Sequence, residues 1–267
     1  NNQPMGFYQP FTLIKDAQRH GLKVLPVDVM KSDWLCTIEN GDGETGRNGD
    51  GGTDGRGDAE INSKSPHLPI SPSPCLSLSL SLGLKYVKGL SEQTGQSIVR
   101  ARHIRSFTGI DDLHNRVPEL RKDELRKLAA VGALNFIQTT KPKRKSRSPN
   151  TNRRDALWQV ERVARAGGEL YEQLFENDGN SPLIPMTLPE RMDADFRGTG
   201  LTIGKHPVAY HRSELNKLGA MRAVDINNLR NGTSVRVGGW VIVRQRPGTA
   251  KGFVFLTLED ETGVSNI

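Results

Sequence analysis

The chain has 267 residues, of which 35% are hydrophobic and 6% aromatic, with 28 glycines. So little apolar material excludes one compact core over the whole length and predicts that part of the chain stays unfolded. A formal net charge of +7 and a pI near 9.5 favour an anionic partner such as nucleic acid, and no apolar run approaches the ~18 residues of a membrane span.

Residues 1–39 carry four Lys/Arg against four Asp/Glu and read as a small α/β scaffold. In "QPFTLIKDAQRHG", Thr12 is placed to cap a helix that Ile14, Ala17 and Gln18 continue and Gly21 ends. "LKVLPVDV" then alternates as a short strand. Residues 40–74 turn Gly/Asp-rich and then Ser/Pro-rich, compositions that bury no core, so an unfolded insert is expected there. Its Asp spacing fits neither an EF-hand loop nor the nonapeptide calcium repeat, and the tripeptide Arg56–Asp58 is too short to imply adhesion. Cys36 and Cys75 lie in dissimilar contexts without metal or redox spacing, which points to a reducing compartment.

"CLSLSLSLGLKYV" alternates Leu with Ser, the pattern of a strand with one apolar face. A helical region with tight corners follows. In "KYVKGLSEQTGQSIVRARHIR", Gly89 admits a positive φ, Leu90 turns into the core, and Ser91 caps a helix from Glu92 to about Arg102. Unpaired helix N–H groups beside a turn, with Lys88 close by, make a phosphate cradle. That is the logic of a helix-hairpin-helix, which grips a nucleic-acid backbone without reading bases. A second unit runs from a helix at Ile110–Arg116 through a corner at Pro118–Leu120 to a helix at Lys122–Val131, closed by Gly132. Arg121 and Lys122 stand there as Lys88 does in the first unit, but the corner carries Glu119 and no glycine. The same pattern also fits a plain helical bundle whose glycine is only a cap.

Residues 141–154, "KPKRKSRSPNTNRR", hold seven Lys/Arg and no acid. A solvated basic linker is expected, adding salt-sensitive attraction to DNA. Helices are predicted at about 154–176 and 187–197. Residues 234–267 switch to strands. Val235, Val237, Val241 and Val243 share one predicted face, with Arg236, Trp240 and Arg244 on the other. In the next strand Val254, Leu256 and Leu258 oppose Phe253 and Phe255. Arg244, Arg246 and Lys251 then gather beside possible stacking rings, as single-strand binders require. Alternation alone fits equally well a buried phenylalanine face with solvated charges.

The blocks "NNQPMGFYQPFTLIKDAQRHGLKVLPVDVMKSDWLCTIE", "LGLKYVKGL", "LRKDELRKLAAVGALN", "RRDALWQVER", "DFRGTGLTIGKHPVAYHR" and "RQRPGTAKGFVFLTLEDETG" resemble, in order, consecutive blocks of the bacterial C-family replicative polymerases. They are nearest to the error-prone relatives of the DNA polymerase III alpha subunit. The resemblance implies an α+β chain with several parts. Residues 1–39 would end the fingers region, 40–74 form an insert, 75–140 a tandem helix-hairpin-helix domain, and 141–154 a linker. Residues 155–233 would be a helical connector and 234–267 the start of an incomplete OB-fold.

The resemblance also implies a cytoplasmic DNA-directed DNA polymerase acting in damage-tolerant replication and repair. Its DNA partners would be primer-template and single-stranded template, and its protein partners a sliding clamp and a damage-tolerance accessory protein. The palm, with the aspartates that hold magnesium, would precede Asn1, so this chain is expected to hold no cofactor and to be inactive alone. The expected DNA-binding residues are Lys88, Gly89, Leu90, Ser91, Arg121, Lys122, Arg244, Arg246 and Lys251. The competing expectation is a stand-alone nucleic-acid-binding or scaffold protein without catalytic activity.

Two motifs imitate catalytic machinery. Asp193 and Asp195 in "RMDADF" have the Asp-x-Asp form of a two-metal site. However, Thr187 and Glu190 form a capping box, which places the pair on a helix where residues two apart diverge by about 200°. Gly198–His206, "GTGLTIGKH", lacks the spacing and the hydroxyl residue of a phosphate loop. His103, His114, His206 and His211 show no ligand spacing.

Overall fold

The computed structural model describes residues 9–41, 77–137, 152–163, 181–249 and 252–267. Most of the expected insert, Arg56–Asp58, Cys75, positions 141–151 of the basic linker, the predicted helix beyond 163 and Lys251 lie outside the described residues.

Helix α1 spans Pro10–Arg19, with Gln9 as its cap and proline in the first turn, where a missing N–H is no loss. Thr12 is therefore inside that turn and buried, not the cap that its hydroxyl suggests. Gly21 takes a φ of 89° just beyond the helix. Strands β1 (Lys23–Leu25), β2 (Thr37–Gly41) and β3 (Ser77–Ser81) form one sheet in the order β1-β3-β2. β3 runs parallel to β1 and antiparallel to β2. The Leu/Ser alternation is present, yet Ser79 and Ser81 are the buried side chains and Leu78 is 44% exposed. Leu82 and Leu84, just past the strand, enter the core instead.

The centre of the molecule is helical: α2 (Glu92–Ile104), α3 (Ile110–Arg116), α4 (Lys122–Ala130), α5 (Arg153–Val163) and α6 (Leu188–Thr199). Leu84, Ile98, Leu113, Leu120, Leu125, Leu128 and Leu134 are fully buried, and Val160 and Leu201 belong to the same core. Burial of each such side chain stabilises by about 1.5–3 kcal/mol, so this cluster anchors the rest. Gly95 sits inside α2 because Trp34 packs there: a Cβ on Gly95 would lie 2.4 Å from the indole ring. α5 begins at Arg153, so Arg153 and Arg154 of the predicted linker are helical and pair with Asp195 and Glu190 of α6.

Beyond α6, Gly200 ends the helix with a φ of 78° and a short 3-10 turn covers Pro207–His211. Helix α7 (Arg212–Lys217), strand β4 (Ala220–Met221), helix α8 (Ala223–Ile226) and strand β5 (Arg236–Val237) follow, with β4 and β5 paired. Strands β6 (Trp240–Gln245), β7 (Phe255–Glu259) and β8 (Val264–Asn266) form an antiparallel sheet in that order. The chain is thus α+β, with small sheets set around a helical centre. Among the described residues no helix is long and apolar enough to cross a membrane.

One sequence expectation fails in β6. The register shifts between Val241 and Val243: Val241 faces Leu258, whereas Val243 faces Thr257 and Arg244 faces Leu256. The extra residue of a β-bulge reverses the alternation beyond it. Arg244 therefore shares a face with Val241 and not with Trp240, and Val243 leaves the face of Val241. Arg236 belongs to a different sheet.

Candidate nucleic-acid interface

The two corners read from the sequence are the same structure repeated. Val87 and Leu90 close the first, with Leu90 N–H donating to the Val87 carbonyl at 3.1 Å; Leu120 N–H does the same to Val117 at 3.0 Å. All four side chains are buried. The caps that follow, Ser91 and Arg121, share one conformation, with φ −73° in both and ψ 150° and 153°. The corners differ in sequence at three positions, Lys88/Pro118, Gly89/Glu119 and Ser91/Arg121. Gly89 has a φ of 75°, a left-handed value that favours glycine. The equivalent of Gly89 in the second corner is Glu119.

A single side chain joins the two corners. Glu124 is 1% exposed and accepts from Ser91 N–H at 2.9 Å through Oε1 and from Arg121 N–H at 3.1 Å through Oε2. Thr94 Oγ1 donates to Oε2 at 3.3 Å, and Ser91 Oγ accepts from Thr94 N–H at 3.1 Å. Burial pushes the Glu124 carboxyl up, but the Ser91 and Arg121 amides and the Arg121 guanidinium outweigh it and hold it below the usual range. The starts of α2 and α4 are thereby fixed side by side. Among their inward-facing donors, the cap amides are already taken by a protein carboxylate.

The cations at the corners are partly engaged within the protein. Lys88 N–H donates to Gly198 O at 2.7 Å and its Nζ to Phe196 O at 3.1 Å, so it also closes the C-terminal end of α6, where a cation is favoured. Leu90 is buried and acts through packing. Ser91 acts as a cap. Arg121 is largely exposed and 3.6 Å from Glu124. Lys122 pairs with Glu161 of α5 at 3.2 Å, and Arg126 binds the same carboxylate through two nitrogens. Those bonds hold the Glu161 carboxyl down at about 2, with Arg126 the largest cause.

Sequence reading missed Lys127. Its Nζ donates to Gly89 O at 3.2 Å, which carries a cation from the second unit onto the first corner. Its place on α4, one turn beyond Asp123, gives no local signal of that reach. Gly89 thus lies between Lys88 and Lys127, both exposed.

The second group of expected residues is split. Arg244 and Arg246 are exposed on and just after β6. Phe253 and Phe255 are 71% and 52% exposed, which removes the buried-phenylalanine alternative. Phe255 nevertheless pairs with Gln245, on the face that the bulge turns away from Arg244. Trp240 stacks on Phe196 with centroids 6.0 Å apart, and Phe196 meets Phe11 edge-on at 4.9 Å.

The acidic pair on α6 does not fit a metal site. Asp193 binds Arg197 of its own helix at 3.0 Å, while Asp195 binds Arg153 at 2.8 Å and accepts from Thr202 Oγ1 at 3.0 Å. Burial is the main influence on the Asp195 carboxyl and pushes it up. Among the described residues no group of three or more His, Cys, Asp or Glu side chains is arranged to hold a metal ion.

A family model described as a helix-hairpin-helix motif matches residues 21–145. Over its whole length the chain is similar to proteins named error-prone DNA polymerase. It is 36% identical to the one from Alkalilimnicola ehrlichii, 37% to that from Burkholderia pseudomallei and 37% to that from Rhodopirellula baltica. It spans 22%, 21% and 20% of those relatives, respectively. The resemblance to error-prone C-family polymerases is therefore shown end to end for this chain, across about one fifth of their length.

Proposed function

We propose that this chain is a DNA-binding portion, C-terminal in its parent, of an error-prone DNA polymerase that works in damage-tolerant replication and repair in the cytoplasm. It grips the primer-template backbone without regard to sequence. The observation that carries this reading is the pair of corners tied by Glu124, with Lys88 and Lys127 on either side of Gly89. Fixed helix N-termini and flanking cations suit phosphate oxygens and supply no base-reading group. The terminal sheet is read as the first strands of an OB-fold, with Phe253 and Phe255 offered to unstacked bases and Arg246, just after β6, to phosphates. Catalysis belongs to a palm with magnesium elsewhere in the parent polymerase, as do contacts to a sliding clamp and an accessory protein.

The test is a salt titration of the full chain binding to primer-template, compared with Lys88→Gln combined with Lys127→Gln. Losing two phosphate contacts lowers affinity about tenfold and flattens the salt slope by about two. If the double variant binds like the parent, the affinity comes from the basic stretch 141–154 and the corner is only a fold element. Arg246→Ala serves as the second arm. It lowers the salt slope on single-stranded DNA by about one and leaves duplex binding unchanged.

A further inference from the structure

Glu259, at the end of β7, is completely buried, although most of its sheet is not. Trp240, Val241 and Phe255 are each about half exposed, and Leu258 is the apolar side chain of the sheet that is buried. What holds this sheet to α1 is therefore largely polar. Arg19 Nη1 and Nη2 both donate to Glu259 Oε1 at 3.0 Å, and Nη1 also reaches Asp260 O at 3.5 Å. The other carboxylate oxygen, Oε2, faces His206 Nε2 at 3.9 Å. Among the described residues neither atom has a hydrogen-bond partner, and both are buried. Val208 N–H donates to His206 Nδ1 at 3.2 Å, so the neutral ring carries its proton on Nε2, aimed at Glu259. An orphan donor and an orphan acceptor thus confront each other just beyond bonding distance.

The neighbouring residues sharpen the contrast. Asp260, next in the chain, holds the sheet to a different partner. It accepts from Ala223 N–H at 2.8 Å and Arg212 Nη2 at 3.1 Å, and its other oxygen binds the β7–β8 turn at Thr262 and Gly263. The sheet, α7 and α8 are thereby one unit, whose polar attachment to α1 passes through Arg19 and Glu259 and whose aromatic contact with the helical centre is the Trp240–Phe196 stack. Lys15 of α1 reaches toward the same place but donates to Gly204 O and Gln18 Oε1.

We propose that Arg19, His206 and Glu259 form a latch between α1 and the terminal sheet, from which the sheet, with α7 and α8, opens as a unit while the helical centre stays folded. Opening breaks the Trp240–Phe196 stack but exposes little further apolar surface, because Leu258 is the buried apolar side chain of the sheet, and it relieves the two orphan atoms. Segments held in this way sit at the low end of the local stability scale.

Hydrogen exchange of the full chain tests this without DNA. In Glu259→Gln, the amides of Leu256, Leu258 and Val208 exchange about tenfold or more faster, while those of Ile98, Leu125 and Leu128 keep their wild-type rates. Arg19→Met gives the same local pattern, and the double variant is no faster than Glu259→Gln alone, since both changes remove one interaction. Unchanged rates, acceleration spread equally over the helical centre, or additive effects in the double variant would each overturn the latch.

Discussion

Glu124 lies 33 residues from Ser91 in sequence, yet its Oε1 accepts the Ser91 amide at 2.9 Å while its Oε2 accepts that of Arg121 at 3.1 Å. One buried carboxylate thus does for two helices what a capping box does for one. The contact converts two local corners into a rigid pair, which is what gripping a duplex backbone at two points would need.

Glu124→Gln tests that keystone. The amide nitrogen of glutamine presents donors where amide donors already point, so at least one bond is lost and a buried N–H is left unpaired. The expected loss is about 2–3 kcal/mol, read as a lower urea midpoint with an unchanged slope. Because the folded carboxyl titrates below its ordinary value of 4.5, wild-type Glu124 gives its full stabilisation above that pH and loses it as the pH falls through the folded value. The variant lacks that acid-side decline.

Gly95→Ala sets two effects against each other. Alanine gains up to about 1 kcal/mol of helix propensity over glycine. At this site its Cβ would lie 2.4 Å from the ring of Trp34, an aromatic side chain that cannot bend away. Overpacking of that kind costs about 1–3 kcal/mol. The net expectation is destabilisation by about 1 kcal/mol or more, with a change in Trp34 fluorescence. A thermal melt that rises would show that the indole has room to move.

These two residues also mark what the sequence could disclose. The spans of α2, α3 and α4, the Thr187–Glu190 capping box and the positive φ of Gly89 and Gly132 all follow from signals within a few residues of each other. Glu124 reads locally as an ordinary first-turn acid, and its second partner is invisible until the chain folds. Lys88 is similar: its ammonium bonds a carbonyl 108 positions away. The bulge in β6 escaped because an inserted residue leaves the alternating letters unchanged while turning Arg244 over. Thr12 is not the cap because Pro10 starts the helix earlier than a hydroxyl cap would.

Lys15 predicts an alkaline effect. Burial is the main cause that lowers its ammonium from 10.5 to about 8, opposed by Glu259. Below about pH 8 the lysine is protonated in both the folded and the unfolded states and adds no pH dependence. Between about 8 and 10.5 the unfolded chain binds more protons, so stability contributed by this group rises with pH. The rise is about 1–2 kcal/mol after allowance for solvent screening. Comparing urea midpoints of the parent and Lys15→Met over that range isolates it. The difference between the two should shift in favour of the parent as pH increases, and parallel curves would exclude the effect.

The last prediction concerns the insert and rests on register alone. Gly41 pairs with Ser77 in antiparallel β2 and β3, so residues 42–76 are topologically the loop of a hairpin. Because Gly41 and Ser77 already lie on one ladder, a short turn can join the two strands. Replacing 42–76 by Asn-Gly, the two-residue turn that suits the twist of an antiparallel pair, should keep both strands in register. Shortening the loop by about four doublings removes closure entropy worth about 2 kcal/mol, of which about half should survive any strain at the new turn. The excised chain is therefore expected to melt a few degrees higher and to bind primer-template with the same salt slope as the parent. A collapse of folding would mean that the insert contributes contacts to the sheet. Intact folding with weaker DNA binding would instead assign it a place at the interface.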